Sequence, residues 1–201
     1  MESIKYLDKS YNIVYIYKKG VFMKKVLIIS TSLRQNSNSE ILAKATEKGA
    51  KDAGHEVEFV SLKDKNIQFC KGCLACQKLG HCVINDDANA ITEKMQKADV
   101  IVWASPVYYY EMSGQMKTLI DRANALFATG KNFKEVYVIS TSADGTPGVI
   151  QSVLNGINGW IACFDDVKLC GYVEGGELNS PNEVNARQEL LDQAYNMGKN
   201  I

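Results

Sequence analysis

Apolar residues along the chain follow two periods. Val26-Leu27-Ile28-Ile29, Val100-Ile101-Val102-Trp103 and Val136-Tyr137-Val138-Ile139 are unbroken apolar runs rich in β-branched and aromatic residues. That is the pattern of parallel strands buried on both faces. Glu56-Val57-Glu58-Phe59 and Val167-Lys168-Leu169 alternate instead, which predicts strands with one solvated side, at the sheet edges. Between the strands, apolar residues recur every three or four positions: Ile41, Leu42, Ala45 and Gly49; Ala88, Ile91, Met95 and Ala98; Met116, Leu119, Ile120, Ala123 and Phe127; Val149, Ile150, Val153, Leu154, Ile157 and Ile161; Leu190, Leu191, Ala194 and Met197. Each set predicts one buried helix face. Ser180-Pro181-Asn182-Glu183 predicts a helix start, with Ser as N-cap and Glu three residues on. Five β–α units with the second and fifth strands at the edges make an α/β fold. It is a doubly wound five-stranded parallel sheet of order 2-1-3-4-5, with helices on both faces. Its ligand crevice lies at the carboxyl ends of strands one and three, where the winding reverses. Pro106, Pro147 and Pro181 are expected just after strands, in the loops lining that end.

Residues 1–22 break the pattern. They hold Tyr6, Tyr11, Tyr15 and Tyr17 among Lys, Ile and Asn, and Glu2 and Asp8 spoil any resemblance to a secretory signal. Lys19-Gly20-Val21-Phe22-Met23 back-translates to a ribosome-binding site, a short spacer and a start codon. Residues 1–22 are therefore read as either non-native upstream sequence or a flexible N-terminal extension. Residues 23–201 are read as one domain with a cysteine-rich insertion at 63–86. The 23 basic and 23 acidic side chains cancel, leaving no charge excess to hold a nucleic acid or an anionic membrane. No apolar run approaches the ~20 residues needed to span a bilayer. The expectation is a cytoplasmic protein with neither nucleic-acid nor membrane partners.

After the first strand comes Ser30-Thr31-Ser32-Leu33-Arg34-Gln35-Asn36-Ser37-Asn38-Ser39, then a helix. Free N–H groups and the positive dipole end at a helix N-terminus bind anions. Ser and Asn add donors and Arg34 adds charge, so the loop suits a phosphate monoester. It also reads as a polar loop in which Ser37 and Glu40 form a capping box, and the two roles can coexist. No Gly-x-Gly-x-x-Gly and no Gly-Lys-Ser/Thr follows the strand, which argues against a Rossmann dinucleotide site and a P-loop. A second loop, Ala104-Ser105-Pro106-Val107-Tyr108-Tyr109-Tyr110-Glu111-Met112-Ser113-Gly114-Gln115-Met116-Lys117, puts three tyrosines directly after a buried strand. At a switch point such groups suit a flat heteroaromatic ring.

These two loops resemble those of NADPH-dependent FMN reductases. Thr31-Ser32-Leu33-Arg34 through Asn38-Ser39 is similar to their (G)SxRxxSNT phosphate loop. Ser105-Pro106-Val107-Tyr108-Tyr109, ending in Ser113-Gly114-Gln115-Met116-Lys117 and Ile120-Asp121-Arg122, is similar to their SPVYxxxxSxQxKxxxDR stretch. The resemblance implies a flavodoxin-like fold in which Ser32, Arg34, Ser37, Asn38 and Ser39 hold the FMN phosphate. It implies that Pro106, Val107, Tyr108 and Tyr109 border the isoalloxazine, and that Thr141, Ser142, Ala143, Asp144 and Gly145 form a third flavin-contacting loop. Thr31 departs from the family, which often has Gly there, but keeps a hydroxyl.

Cys70, Cys73, Cys76 and Cys82 form Cys-x2-Cys-x2-Cys-x5-Cys. Without an export signal, such cysteines point to thiols or metal sites rather than a disulfide framework. The spacing suits a [4Fe–4S] cluster. Zinc, which usually takes two separated knuckles, and plain reduced thiols are the other readings. Within this fold the pattern resembles iron–sulfur flavoproteins, although it also recurs in relatives known only as FMN reductases. His81 is read as an exposed loop histidine before a ligand, and Cys163 and Cys170 as small core or near-core residues.

The resemblance implies an FMN-dependent NAD(P)H oxidoreductase. It would pass electrons through FMN to a quinone, a small molecule or a redox-protein acceptor, as a homodimer or homotetramer. No residue is assigned a general acid or base role, because hydride transfer to flavin does not require one. The alternatives are a non-enzymatic FMN/iron–sulfur electron carrier and a thiol-based redox-sensing or metal-binding module. The balanced charge and the cysteine insertion weigh against the first, and the two flavin loops against the second.

Overall fold

The structure, a computed structural model, describes residues 3–7, 13–17 and 22–201. Ser3–Leu7 (β1) and Ile13–Tyr17 (β2) pair antiparallel, a two-stranded sheet apart from the main one. The rest of the 1–22 extension, up to residue 21, lies outside the described residues. From Lys25 the order is β3 (Lys25–Ser30), α1 (Asn38–Asp52), β4 (Glu56–Ser61), α2 (Cys76–Leu79), α3 (Asp87–Lys97), β5 (Val100–Tyr108), β6 (Glu111–Met112), α4 (Gly114–Arg122), α5 (Leu126–Thr129), β7 (Glu135–Thr141), α6 (Gln151–Ile161), β8 (Lys168–Gly175) and α7 (Gln188–Lys199).

The five long strands run parallel in the order β4-β3-β5-β7-β8. Counted from β3, this is the expected 2-1-3-4-5 winding of the flavodoxin-like fold. β3, β5 and β7 are buried on both faces, and β4 and β8 form the edges. Successive side chains of a strand point to opposite faces, so each central strand feeds two cores. Leu27, Ile29, Ile101, Trp103, Val136 and Val138 pack under α3, α4 and α6. Val26, Ile28, Val100, Val102 and Ile139 pack under α1 and α7. Trp103, fully buried, meets Trp160 edge-on with centroids 5.8 Å apart.

α1 and α7 touch backbone to backbone. A Cβ on Gly49 would lie 2.0 Å from the Tyr195 carbonyl oxygen, and one on Gly198 2.1 Å from the Thr46 carbonyl oxygen. Thr46 Oγ1 donates across the seam to the Ala194 carbonyl at 2.9 Å. This contact fixes α1, and with it the loop at its N-terminus. Among the described residues no helix is long and apolar enough to cross a membrane.

Four local expectations are corrected. α4 ends at Arg122 and a 3-10 turn, Ala123–Ala125, follows. That tighter winding advances the helical phase, so Leu126 is buried and Phe127 is 53 % exposed. Ser180 and Glu183 make a capping contact, Ser180 N–H donating to Glu183 Oε2 at 2.9 Å. It heads the short 3-10 helix Glu183–Ala186, however, and α7 starts only at Gln188. Pro106 lies inside β5 opposite Thr141 rather than in a loop, because the short antiparallel strand β6 prolongs β5 by pairing with Val107 and Tyr108. Cys163 and Cys170 are exposed. Cys163 falls past the end of α6, and Cys170 is the residue without a register partner at the irregularity in the β7–β8 ladder.

Candidate functional site

The carboxyl ends of β3, β5 and β7 open into a pocket of about 200 Å3. Its floor is the loop between β3 and α1. Ser37 caps α1, its Oγ accepting the Glu40 N–H at 3.3 Å. The reciprocal half of a capping box is absent. Glu40 Oε2 instead accepts from Ser30 Oγ at 3.3 Å and pairs with Lys63 at 3.3 Å, and Ser37, Asn38 and Ser39 at the start of this fifteen-residue helix line the pocket. Ser39 is fully buried, and its Oγ finds no hydrogen-bond partner among the described residues. A buried orphan hydroxyl is costly unless a ligand satisfies it. Ser32 is buried and its Oγ accepts the Arg34 N–H at 3.3 Å. Arg34 is exposed at the rim, with Nη1 on the Asn179 carbonyl at 2.7 Å.

Asn38 lines the pocket, but its side chain is engaged elsewhere. Nδ2 donates to the Ser180 carbonyl at 2.8 Å and Oδ1 accepts the Val184 N–H at 3.1 Å. It docks the 178–184 segment onto the loop. Leu178 and Asn179 of that segment also line the pocket. Sequence reading missed both, since nothing in the stretch after β8 marks it as a wall of a site formed 140 residues earlier.

The walls come from the second loop read from sequence and from the third, which only the family resemblance implied. Pro106, Val107 and Tyr108 stand on one side, and Thr141, Ser142 and Ala143 on the other. Tyr109, Asp144 and Gly145 lie outside the lining. Thr31 explains its own departure from the family pattern. Its Oγ1 donates to the Ala104 carbonyl at 3.0 Å and lies 2.9 Å from Ser113 Oγ. Ser105 Oγ accepts the Ser113 N–H at 3.0 Å, and Ser140 Oγ donates to the Ser105 carbonyl at 3.0 Å. This buried chain of hydroxyls ties β3, β5, α4 and β7 together behind the pocket. A larger groove of about 370 Å3 runs beside β3 and β4. It is edged by charged residues such as the ion pair Lys94–Glu58, and no orphaned buried polar atom lines it, so chemistry rather than volume selects the pocket above Ser39.

The cysteines hang from a different anchor. The guanidinium of Arg122 is fully buried against Asp86, with Nη1 on Oδ2 at 2.6 Å and Nη2 on Oδ1 at 2.8 Å. It also donates to the carbonyls of Gln68 at 2.7 Å and Ile84 at 3.2 Å. These partners stand on either side of the cysteine segment, so one side chain closes its base. Burial alone would raise the Asp86 carboxyl. Hydrogen bonds from Arg122 and from the N–H groups of Gln68 and Ala88 outweigh it and hold the group below its ordinary value. Cys70 and Cys73 are exposed, Cys82 is half-buried and Cys76 is buried at the start of α2. Two sulfurs already receive N–H donors, Cys70 from Gly72 at 3.4 Å and Cys76 from Asn124 at 3.2 Å. Donors of this kind suit thiolates. The four thiols are nevertheless not gathered: among the described residues no three His, Cys, Asp or Glu side chains come together as a metal site. His81 sits exposed in its loop, Nδ1 3.1 Å from the Leu79 carbonyl.

The family model of NADPH-dependent FMN reductases matches residues 24–160. An iron–sulfur flavoprotein of Methanocaldococcus jannaschii is 32% identical over 183 residues, covering 88% of this chain and 95% of that one. An iron–sulfur flavoprotein of Methanosarcina thermophila is 33% identical over 138 residues, 68% of this chain and 72% of that one. Among solved structures, an NAD(P)H:quinone oxidoreductase from Methanothermobacter marburgensis superposes with a TM-score of 0.68 at 15% identity, over 89% of this chain and 97% of that one, a likeness of fold. With a family match running from β3 into α6, across both pocket walls and the cysteine segment, this chain belongs to the flavodoxin-like NADPH-dependent FMN reductases and is related to the iron–sulfur flavoproteins.

Proposed function

We propose that the pocket above α1 holds FMN and that the protein moves electrons from NAD(P)H through it to a quinone, another small molecule or a redox protein. The observation that carries the assignment of the pocket is the buried, unpartnered Ser39 hydroxyl at a helix N-terminus, a donor placed for a phosphate oxygen. Ser32, Ser37, the backbone N–H groups of Asn38 and Ser39, and Arg34 at the rim complete the cradle. Pro106, Val107 and Tyr108 face Thr141, Ser142 and Ala143 across the space for the ring, with Tyr109, Asp144 and Gly145 just beyond it. FMN supplies the redox chemistry, accepting a hydride and returning its electrons singly or in a pair. The protein's part is to bind and orient it in this pocket. No side chain is assigned proton transfer.

Cys70, Cys73, Cys76 and Cys82 are proposed as ligands of a [4Fe–4S] cluster. The reading is supported by four thiols in one segment, by N–H donors at two sulfurs, and by the iron–sulfur flavoproteins among the relatives. The protein is further proposed to be cytoplasmic and a homodimer or homotetramer, without nucleic-acid or membrane partners.

Anaerobic purification, a visible spectrum, iron and sulfide assays and addition of NADPH test these points together. A flavin spectrum that bleaches with NADPH, with about four irons per chain, is the expected result. Flavin that bleaches only with dithionite would make the protein a carrier. Flavin without iron would remove the cluster and leave the rest.

A further inference from the structure

The turn between β5 and β6 is built from residues that resist it. Val107 pairs with Met112 and Tyr108 with Glu111, leaving a two-residue connection. Both connecting residues have left-handed backbones, Tyr109 at φ 50° and Tyr110 at φ 63°. Such turns favour Asn-Gly or Asp-Gly, because φ > 0 is an outlier for bulky side chains. Two adjacent tyrosines hold this conformation only if their surroundings over-determine it.

One restraint is the β5–β6 pairing. The other is a side chain: the Tyr110 hydroxyl donates to Asp144 Oδ2 at 3.0 Å. Asp144 is itself fixed, its Oδ1 accepting from the Thr146 N–H at 2.8 Å and the Thr146 hydroxyl at 2.7 Å. One carboxylate oxygen is thus held by its own loop and the other is presented to Tyr110. Tyr109 is left fully exposed.

The position of this bond matters. The β5–β7 ladder ends at the pair Pro106–Thr141. Beyond it the two chains separate and become the walls of the pocket, Val107 and Tyr108 against Ser142 and Ala143. The Tyr110–Asp144 bond rejoins them past Tyr108 on one side and Ala143 on the other. We propose that Tyr110 and Asp144 are a positioning pair: their hydrogen bond holds the strained turn, sets the gap between the two walls and slows the departure of the flavin between them. The proposal rests on the FMN reading of the pocket. The ionisation of the two groups agrees with it, the bond to Asp144 pushing the Tyr110 phenol up while Thr146 and then Tyr110 hold the Asp144 carboxyl low.

The test is the rate of FMN release from the loaded protein, followed by the recovery of free-flavin fluorescence. Tyr110→Phe keeps the ring and removes only the donor, and Asp144→Ala removes the acceptor. Each is expected to speed release roughly three- to tenfold. The double variant is expected to be no faster than either single one, the mark of one shared interaction. Asp144→Asn, which retains an acceptor oxygen, is expected to stay closer to the unaltered protein than Asp144→Ala. Release at the unaltered rate in Tyr110→Phe, or independent effects that multiply in the double variant, would overturn the pair while leaving the flavin site standing. An unaltered chain that does not perturb the FMN spectrum at all would overturn the site, and the pair with it.

Discussion

Ser39 and Arg122 are both buried polar residues, and they make opposite predictions. The Ser39 hydroxyl is unpartnered, so removing it leaves the flavin-free protein intact and harms only ligand binding. Ser39→Ala is expected to weaken FMN binding by about 1.5–3 kcal/mol, with an apo Tm unchanged or slightly higher; flavin titration and a thermal melt on the same sample check both halves. Arg122 has both terminal nitrogens paired, only its Nε lacking a partner, and its loss strands the Asp86 carboxylate in the interior. Arg122→Met is expected to cost about 3–5 kcal/mol of stability, read by denaturant unfolding. The same pair sets an acid limit. Because the folded Asp86 group titrates below its ordinary value, its contribution is complete above the unfolded carboxylate range of about 4 and is lost as pH falls through the lowered folded value. Unfolding midpoints measured downward from pH 5 should therefore fall more steeply for the unaltered protein than for a variant already lacking the pair. The position of the 30–39 loop, a polar connection running into a Ser-capped helix at the pocket, was legible from its hydroxyls and amides. The task of Asn38 was not, since its partners Ser180 and Val184 come from the far end of the chain.

At the scale of elements, the α1–α7 seam controls the site from behind. The carbonyl of Thr46 occupies the place a Gly198 side chain would need, so Gly198→Ala must push the helices apart. The expected cost is about 1–3 kcal/mol, seen as a lower Tm together with weaker FMN binding, because α1 carries the proposed anion cradle at its other end. Unchanged FMN affinity in a measurably destabilised variant would separate the seam from the site. The strands were readable because continuous and alternating apolar runs report whether one or both sheet faces are covered, and β4 and β8 fall at the edges accordingly. β6 was not readable. Two residues of strand carry no period, and a Tyr-Tyr turn lacks the Asn-Gly signature that would have announced it. The phase slip at Ala123–Ala125 was hidden for a similar reason, since a single 3-10 turn shifts a helical stripe without interrupting it.

For the whole molecule, the winding order decides where chemistry takes place. The reversal between β3 and β5 brings the 31–39 loop and the 106–108 wall together, and the adjacent β7 adds the second wall. The cysteine segment leaves the sheet after β4 and is stapled back by Arg122 from α4, the helix that follows the tyrosine wall. Site and insertion therefore share one structural support. The central claim is that the cradle around Ser39 recognises a flavin through its phosphate. Titrating the flavin-free protein in parallel with FMN and with riboflavin, which lacks only the phosphate, tests it most directly. The account predicts one FMN per chain and riboflavin bound at least about a hundredfold more weakly, the loss of several charge-assisted hydrogen bonds. Equal binding of the two flavins would contradict it.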